Sequence, residues 1–216
     1  MKHYFSPTDM GVNMIFRGIT NQKIATRAAK KEIIFYLFRY RQEYLKGLVD
    51  KKTLDKINYL LKKAKISEED LPIVSMARKI KKKSTGSATA IELHNGQIVT
   101  GKNSALLHAE AACFLNAIKV LAKIPDSLDL LSAQVIESLN QIKDKILKEK
   151  TRSLELNEVL VALAISAPTN PTIKKAIEKI PDLKGCYFHS TQLLTPGDEN
   201  ILRKLGIWFS TEGEIE

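Results

Sequence analysis

The chain has 216 residues, of which 44% are hydrophobic and 27% are charged. These proportions are typical of a globular protein, and they exclude a collagen-like, mucin-like or wholly disordered chain. A chain of this length can bury a stable core without disulfides or metal ions, as one large domain or two small ones. The formal net charge is +10, and this charge is distributed unevenly.

The positive charge is concentrated in the first 83 residues, which hold 20 Lys and Arg against 8 Asp and Glu. The remaining residues, 84–216, hold 14 against 16. The change falls at residues 84–87, a run of small polar residues of the kind that separates domains. The sequence therefore predicts a helical domain with an N-terminal loop over 1–83 and an α/β domain over 84–216.

Neither a membrane span nor a secretory signal is visible in the sequence. No apolar run approaches the roughly 18 to 20 residues of a transmembrane helix, and the first residues lack the apolar middle of a signal peptide. Cys113 and Cys186 lie far apart in apolar surroundings, which indicates reduced, buried thiols. These features predict a cytoplasmic protein with no membrane partner.

Apolar residues recur at helical spacing through the first domain. They predict one long helix from residue 20 to Gly47, where glycine is a natural C-terminal stop. Asp50 is suited to cap a second helix, and Ser67 with Asp70 resembles a capping box that opens a third. The first domain is therefore predicted to be all-helical.

The apolar period changes after residue 87. Two strand-like segments, 88–93 and 97–100, flank Asn95-Gly96, the favoured dipeptide of a two-residue hairpin turn. A C-terminal strand-helix-strand order predicts that the last two strands pair in parallel. The fold class predicted is thus helix-rich α/β with a small mixed sheet. The remaining predicted elements are helices over 106–122 (capped by Asn103 or Ser104), 132–148, 156–166, from Pro171 and over 197–205, and strands over 186–191 and 207–210.

Short segments spread over nearly the whole chain carry a resemblance to a known family. The first reads Ser-Pro-Thr-Asp-Met-Gly-Val-Asn-Met and covers residues 6–14. The others lie at 31–34, 47–50, 90–93, 98–102, 115–119, 170–172, 183–186, 189–191, 198–200 and 203–207. On these segments the chain resembles a bacterial family of uncharacterised proteins called domain of unknown function 1846, or uncharacterised protein family 0371.

The resemblance implies more than this chain contains. Family members are about twice as long, and their N-terminal half carries a glycine-rich, phosphate-loop-like segment that has no counterpart here. The chain thus resembles the C-terminal half of the family, and its implied partner is the missing N-terminal half or another copy of itself. The C-terminal domain is also similar in element order to the three-layer fold of the cytidine deaminases, although a shared fold does not confer the reaction.

One motif is similar to the zinc site of those deaminases. His108-Ala109-Glu110 matches their H-x-E, in which histidine binds the metal and glutamate transfers the proton. Zinc needs further ligands, which the deaminases take from P-C-x-x-C, and the comparable residues 195–200 contain no cysteine. The sequence therefore predicts no metal site, and a zinc-dependent deaminase is the less favoured interpretation.

The first candidate site lies at the end of a predicted strand. His189 ends that strand just before a turn and a helix, where open α/β sheets present groups that contact ligands. It is predicted as a catalytic base or hydrogen-bond donor, with a purely structural histidine as the alternative. Ser190 and Thr191 are predicted to hold an anion beside the following helix. Asp198 and Asn200, in the first turn of that helix, either bind the ligand or complement the helix dipole.

A second candidate lies between the hairpin and the next helix. Thr100, Lys102 and Ser104 combine a cation with hydroxyls in a connection that could hold phosphate. The alternative is a tight connection with a helix cap. Asp9 and Asn13, in segment 6–14, belong either to a functional loop or to a linker.

Two functions are consistent with these residues. The first is part of a binding or active site for a phosphorylated or nucleotide-like small molecule, completed by the absent N-terminal half; the sequence identifies no cofactor and leaves open whether the protein is an enzyme. The alternative is a non-catalytic assembly or scaffold module. The basic stretch 78–83 could attract nucleic acid, but with few aromatic residues and no reading motif, nucleic acid is not an expected partner.

Overall fold

A computed structural model of the chain describes residues 21–148 and 151–213. The helices are α1 (Gln22–Leu45), α2 (Lys51–Ala64), α3 (Pro72–Lys81), α4 (Ala109–Ala122), α5 (Ala133–Ile142), α6 (Leu156–Ser166), α7 (Pro171–Ile177) and α8 (Pro196–Lys204). The strands are β1 (Ala88–Glu92), β2 (Ile98–Lys102), β3 (Tyr187–Ser190) and β4 (Trp208–Thr211). Shorter helical turns are Glu68–Asp70, Lys143–Leu147, Ala167–Thr169 and Ile180–Leu183.

The four strands form one mixed sheet in the order β2-β1-β3-β4. Strand β1 runs antiparallel to β2 and β3, whereas β3 and β4 are parallel. Helix α8 connects β3 to β4, and parallel pairing requires a crossover of this kind. The predicted helix-rich α/β class and the predicted parallel pairing are both confirmed. The likeness to the cytidine deaminases stays a prediction.

The sheet lies between two layers of helices. Successive side chains of a strand point to opposite faces, and β1 is buried along its whole length. Ile91 belongs to an apolar cluster formed with α4, whereas its neighbour Ala90 belongs to a second cluster formed with α1, α2 and α3. Phe38 and Val74 also belong to the second cluster, so the helical region and the sheet share packed apolar surface. The predicted domain boundary between residues 83 and 84 stays a prediction.

The helix starts of the first domain follow from local capping. The side chain of Asp50 accepts a hydrogen bond from Thr53 N at 2.8 Å, as predicted for the start of α2. Ser67 and Asp70 form the predicted capping box. This box opens a single 3-10 turn, and α3 itself begins at Pro72, a residue suited to the first helical position.

Helix α4 begins at Ala109, so the predicted start at Leu106 is wrong. Leu107 instead forms a parallel bridge with Leu154, and Leu154 N donates to Leu106 O at 2.9 Å. The predicted caps Asn103 and Ser104 are wrong, because the cap residue of α4 is His108. The Ser104 hydroxyl oxygen instead accepts from Leu107 N at 3.0 Å in the turn before the helix. Backbone groups of residues 106–108 thus bond to Leu154 in a distant segment and are not available for the first turn of a helix.

The turn between β1 and β2 also differs from the prediction. Leu93 N donates to Gln97 O at 2.9 Å, which leaves the three residues 94–96 in the loop instead of two. Gly96 N donates back to Leu93 O at 2.8 Å, and Gly96 has a φ of +82°. This is the three-residue hairpin loop in which a turn is followed by a left-handed glycine.

Both cysteines are free and buried, as the sequence predicts. Burial raises the pKa of the Cys113 thiol to about 12, and burial also raises the pKa of Cys186. A thiol in this state is protonated and a poor nucleophile. Within the described ranges, none of the helices combines the length and apolar character needed to cross a bilayer.

Gly101 allows helix α4 to lie directly on strand β2. A Cβ at this position would stand 2.3 Å from Cys113 N and 2.4 Å from Ala109 O, both backbone atoms. We expect Gly101→Ala to lower the free energy of unfolding by about 1 to 3 kcal/mol, as overpacking does. Gly197→Ala is the matched control, because a Cβ there meets only Thr195 Oγ1 at 3.7 Å. Urea unfolding checks this, and equal midpoints for the two variants would contradict it.

Candidate functional site

Both candidate segments end at the same edge of the sheet. Strand β1 begins there and the other three strands end there, since Ala88 pairs with Lys102 in the antiparallel register. Thr191 N donates to Ala88 O at 3.0 Å, and Glu212 N donates to Ser190 O at 2.9 Å. The segments after β2, β3 and β4 are therefore neighbours at this edge.

An open cleft of about 470 Å³ lies at this edge, on the side of helix α3. This volume falls within the range of small-molecule sites. The lining combines one lysine, three hydroxyls, an amide and a carboxylate with a small apolar part. The lining residues are Lys81, Ser84, Gly86, Ser87, Thr191, Gln192, Leu193, Glu212 and Gly213. Of the residues predicted from the sequence, Thr191 lies in this lining.

Ser87 is one of the lining residues, and its buried side chain holds an unpaired polar atom. Ser87 is only 6% exposed, and its Oγ has no hydrogen-bond partner within the described part of the chain. An unsatisfied buried hydroxyl is costly, so such groups normally have a partner. Lys81, at the end of α3, places its Nζ 3.5 Å from Thr191 O. The ammonium group of Lys81 thus lines the cleft. The Ser87 hydroxyl has the facing of Thr89, two residues further along, whose hydroxyl donates to Ala109 O at 2.8 Å, so it faces helix α4.

His189 lies beneath the cleft and is fully buried. Its Nδ1 is 2.8 Å from Ser210 Oγ, its Nε2 is 3.2 Å from Glu212 Oε1, and its ring packs 4.8 Å from the Phe38 ring. Burial lowers the pKa of His189, which favours the neutral ring. The order Ser210-His189-Glu212 is that of a nucleophile triad, but Ser210 is itself only 4% exposed. The contacts support a positioning role, and a catalytic role for His189 stays a prediction.

Glu212 joins His189 to a chain of ion pairs. Its Oε1 also accepts a hydrogen bond from Arg78 Nε at 2.6 Å. Arg78 pairs with Glu68, which in turn lies 2.5 Å from Arg41 on α1. Burial alone would raise the pKa of Glu212, but the bonds from His189 and Arg78 outweigh it and the pKa is lowered. The cleft therefore contains an ionised carboxylate held in a fixed position.

On the other face of the sheet, Ser190 faces helix α4. Its hydroxyl donates to Glu110 Oε1 at 2.9 Å, and Glu110 is 1% exposed. Asp198 lies close to this pair, and its Oδ1 accepts from Leu156 N at 3.3 Å. Burial and the charge of Glu110 raise the pKa of Asp198. Ser190 and Asp198 thus lie together, but on the opposite face from the cleft.

The H-x-E motif has no surrounding ligand set. Across 21–148 and 151–213, no three His, Cys, Asp or Glu side chains are grouped so that they could hold a metal ion. His108 precedes α4 as its cap residue, and its backbone N donates to Leu154 O at 3.0 Å. Glu110 is occupied by Ser190. The described residues do not fit the zinc site of a deaminase.

The other predicted site residues are not brought into the cleft lining. Thr100 O accepts from Asn116 Nδ2 at 2.9 Å, and Lys102 and Asn200 are exposed. The Ser104 hydroxyl oxygen accepts from Leu107 N within a turn. These roles leave ligand binding by Thr100, Lys102, Ser104 and Asn200 as a prediction. Two predicted residues lie outside the described ranges: Asp9 and Asn13.

Sequence reasoning missed most of the cleft. In the sequence, Lys81 is one residue of a basic stretch, and Ser84 and Ser87 belong to the run of small polar residues that predicts a domain boundary. Glu212 carried no local signal at all. A signal did exist for Ser87, since small polar residues directly before a strand often lie at a sheet edge, where ligand sites form.

Comparison with known families assigns the chain to one of them. A family model described as "Domain of unknown function DUF1846, C-terminal" matches residues 69–216. The chain belongs to the DUF1846 family. The model described as "Domain of unknown function DUF1846, N-terminal" matches residues 1–65, which include α1 and α2. The resemblance seen in the sequence is confirmed, and most of the cleft lies within the C-terminal match.

The relatives that this chain matches are longer proteins. A protein named "UPF0371 protein" from Clostridium botulinum (strain Kyoto) is 42% identical over 212 residues, which covers 94% of this chain and 42% of the relative. Another of that name from Clostridium tetani is 39% identical over 219 residues, covering 98% of this chain and 44% of the relative. The chain thus spans less than half the length of these curated relatives.

The buried His189 predicts a particular dependence of stability on pH. Its pKa is lower in the folded than in the unfolded chain, so the unfolded chain binds more protons as the pH falls below about 6.5. We expect this group to reduce the free energy of unfolding by up to about 1.4 kcal/mol per pH unit between pH 6.5 and 5. His189→Gln should flatten this slope in urea unfolding measurements, whereas His94→Gln, at an exposed site, should not. Equal slopes for both variants would contradict the assignment.

Proposed function

We propose that the cleft binds the phosphate group of a small molecule. The observation that carries this proposal is the ammonium group of Lys81, which lies 3.5 Å from Thr191 O in a lining that also contains the Thr191 hydroxyl. Phosphate oxygens are acceptors only, so they are suited to an ammonium group and to hydroxyls that need an acceptor. The Thr191 hydroxyl accepts from Ala88 N at 3.0 Å and keeps its own hydrogen for a ligand, whereas the Ser84 hydroxyl already donates to Ile80 O at 3.0 Å.

The local charge supports an anion in spite of Glu212. That carboxylate is already paired with Arg78 at 2.6 Å, so its negative charge is largely compensated. The C-terminal end of α3 also carries Lys82 and Lys83, both exposed beside the cleft. These cations offset the partial negative charge of the helix C-terminus and leave positive potential for a phosphate.

We propose further that the remaining part of the family's N-terminal domain packs on this chain and completes the site. The observation that favours this is apolar exposure on the helices within the N-terminal match. Tyr59 and Leu60 on α2 are 64% and 57% exposed, and Leu48 just before α2 is 71% exposed. The relatives' extra length supplies a partner for this surface. An assembly role without ligand binding is the second candidate function.

We also propose that the protein is cytoplasmic. Cys113 and Cys186 are free, and both are buried. Free thiols persist in a reducing compartment, whereas secreted proteins commonly oxidise theirs.

Replacement of Lys81 tests phosphate binding. We expect the wild-type chain to bind inorganic phosphate and AMP in calorimetry, and Lys81→Met to weaken both by about tenfold or more, the value of one charge-assisted hydrogen bond. Lys79→Met is the matched control, because Lys79 lies on the same helix, is exposed and does not line the cleft. An absence of heat with wild type, or equal losses in the two variants, would overturn the proposal.

Charge placed on the α2 surface tests the assembly. The chain is mixed with the N-terminal part of the Clostridium botulinum relative and followed by sedimentation velocity. We expect a one-to-one complex, which the double change Tyr59→Asp with Leu60→Asp disrupts because it puts charge into an apolar interface. Leu128→Asp is the control at a 48% exposed position outside the N-terminal match. Failure to form a complex, or equal effects of the two changes, would argue against it.

A further inference from the structure

We infer that the ligand of the cleft is a sugar phosphate whose hydroxyl groups bind Glu212. This inference rests on the proposed phosphate site and adds the chemical class of the rest of the ligand. Its basis is the unequal use of the two oxygens of the Glu212 carboxylate.

Both hydrogen bonds to Glu212 end on the same oxygen. Arg78 Nε and His189 Nε2 lie 2.6 and 3.2 Å from Oε1. No bond to Oε2 is found among the described residues, and Oε2 is not a buried, unpaired atom. The side chain lines the cleft and is 20% exposed. The second oxygen is therefore an acceptor available to a molecule in the cleft.

A hydroxyl suits this oxygen better than a cation does. The guanidinium of Arg78 already neutralises the carboxylate, and a second cation on Oε2 would lie close to that guanidinium and be repelled. A neutral O–H donor adds a short, charge-assisted bond to the carboxylate without this repulsion. His189 and Arg78 fix the carboxylate in advance, so little side-chain order is lost when the ligand binds.

The cleft thus offers different partners to the two ends of one ligand. Lys81 and Thr191 suit a phosphate, and Glu212 suits hydroxyl hydrogens. Leu193 and Gly213 give the lining a small apolar part that suits the carbon skeleton of a sugar. A volume of about 470 Å³ accommodates a phosphorylated pentose or hexose. A phosphate monoester with several hydroxyls satisfies all of these groups together.

Calorimetry with three probes separates this inference from the phosphate site. Ribose 5-phosphate is compared with methyl phosphate, which lacks hydroxyl groups, and with inorganic phosphate. We expect wild type to bind ribose 5-phosphate about tenfold more tightly than methyl phosphate, and Glu212→Gln to reduce that preference to about threefold or less. Glu199→Gln is the matched control, because Glu199 is a paired carboxylate on α8 outside the cleft.

The outcomes are distinguishable. Equal affinity of wild type for ribose 5-phosphate and methyl phosphate would overturn the sugar inference while the phosphate site stands. No binding of any probe would overturn both. Because Glu212→Gln also loosens Arg78 and His189, its fold is checked by circular dichroism. If this variant is unfolded, wild-type binding of 2-deoxyribose 5-phosphate decides, and an affinity equal to that of methyl phosphate would overturn a contribution from its remaining hydroxyls.

Discussion

The position of β3 between two helical layers is the constraint on which the site depends. Adjacent side chains of a strand point in opposite directions, so Phe188 and Ser190 face α4 while Tyr187 and His189 face α1 and α3. Both faces are covered, and a polar side chain on this strand must have a partner inside the protein. The carboxylates at the sheet edge supply those partners.

Two acids, the buried Glu110 and the partly exposed Glu212, divide this task between the faces. Glu110, from the first turn of α4, accepts the Ser190 hydroxyl on one face. Glu212, directly after β4, accepts from His189 on the other. Glu110 belongs to α4 and connects the sheet to that helix. Glu212 follows β4 and connects the sheet to α3 through its bond from Arg78. The two faces differ by Arg78, which pairs with one oxygen of Glu212, a residue that also lines an open cleft.

Local signals explain what could be predicted from the sequence. Apolar spacing and capping by Asp50 depend on residues within a few positions, and the second helix begins where these indicate. The start of α4 could not be predicted, because Leu107 pairs with Leu154 in a distant segment. The rule that ligand groups follow strand ends predicts Thr191 as a site residue, and Thr191 lies in the cleft lining. It could not supply Glu212, whose position depends on the parallel register of β3 and β4.

Helix α1 meets the floor of the cleft along one of its faces. Phe38 packs on His189, Arg41 pairs with Glu68, and Leu45 lies so close to Gly213 that a Cβ there would stand 2.3 Å from its Cδ1. Residues three, four and seven positions apart share a helix face. One face of α1 thus contacts both the floor and the wall of the cleft, and this helix lies within the N-terminal match, whereas the cleft residues lie within the C-terminal one.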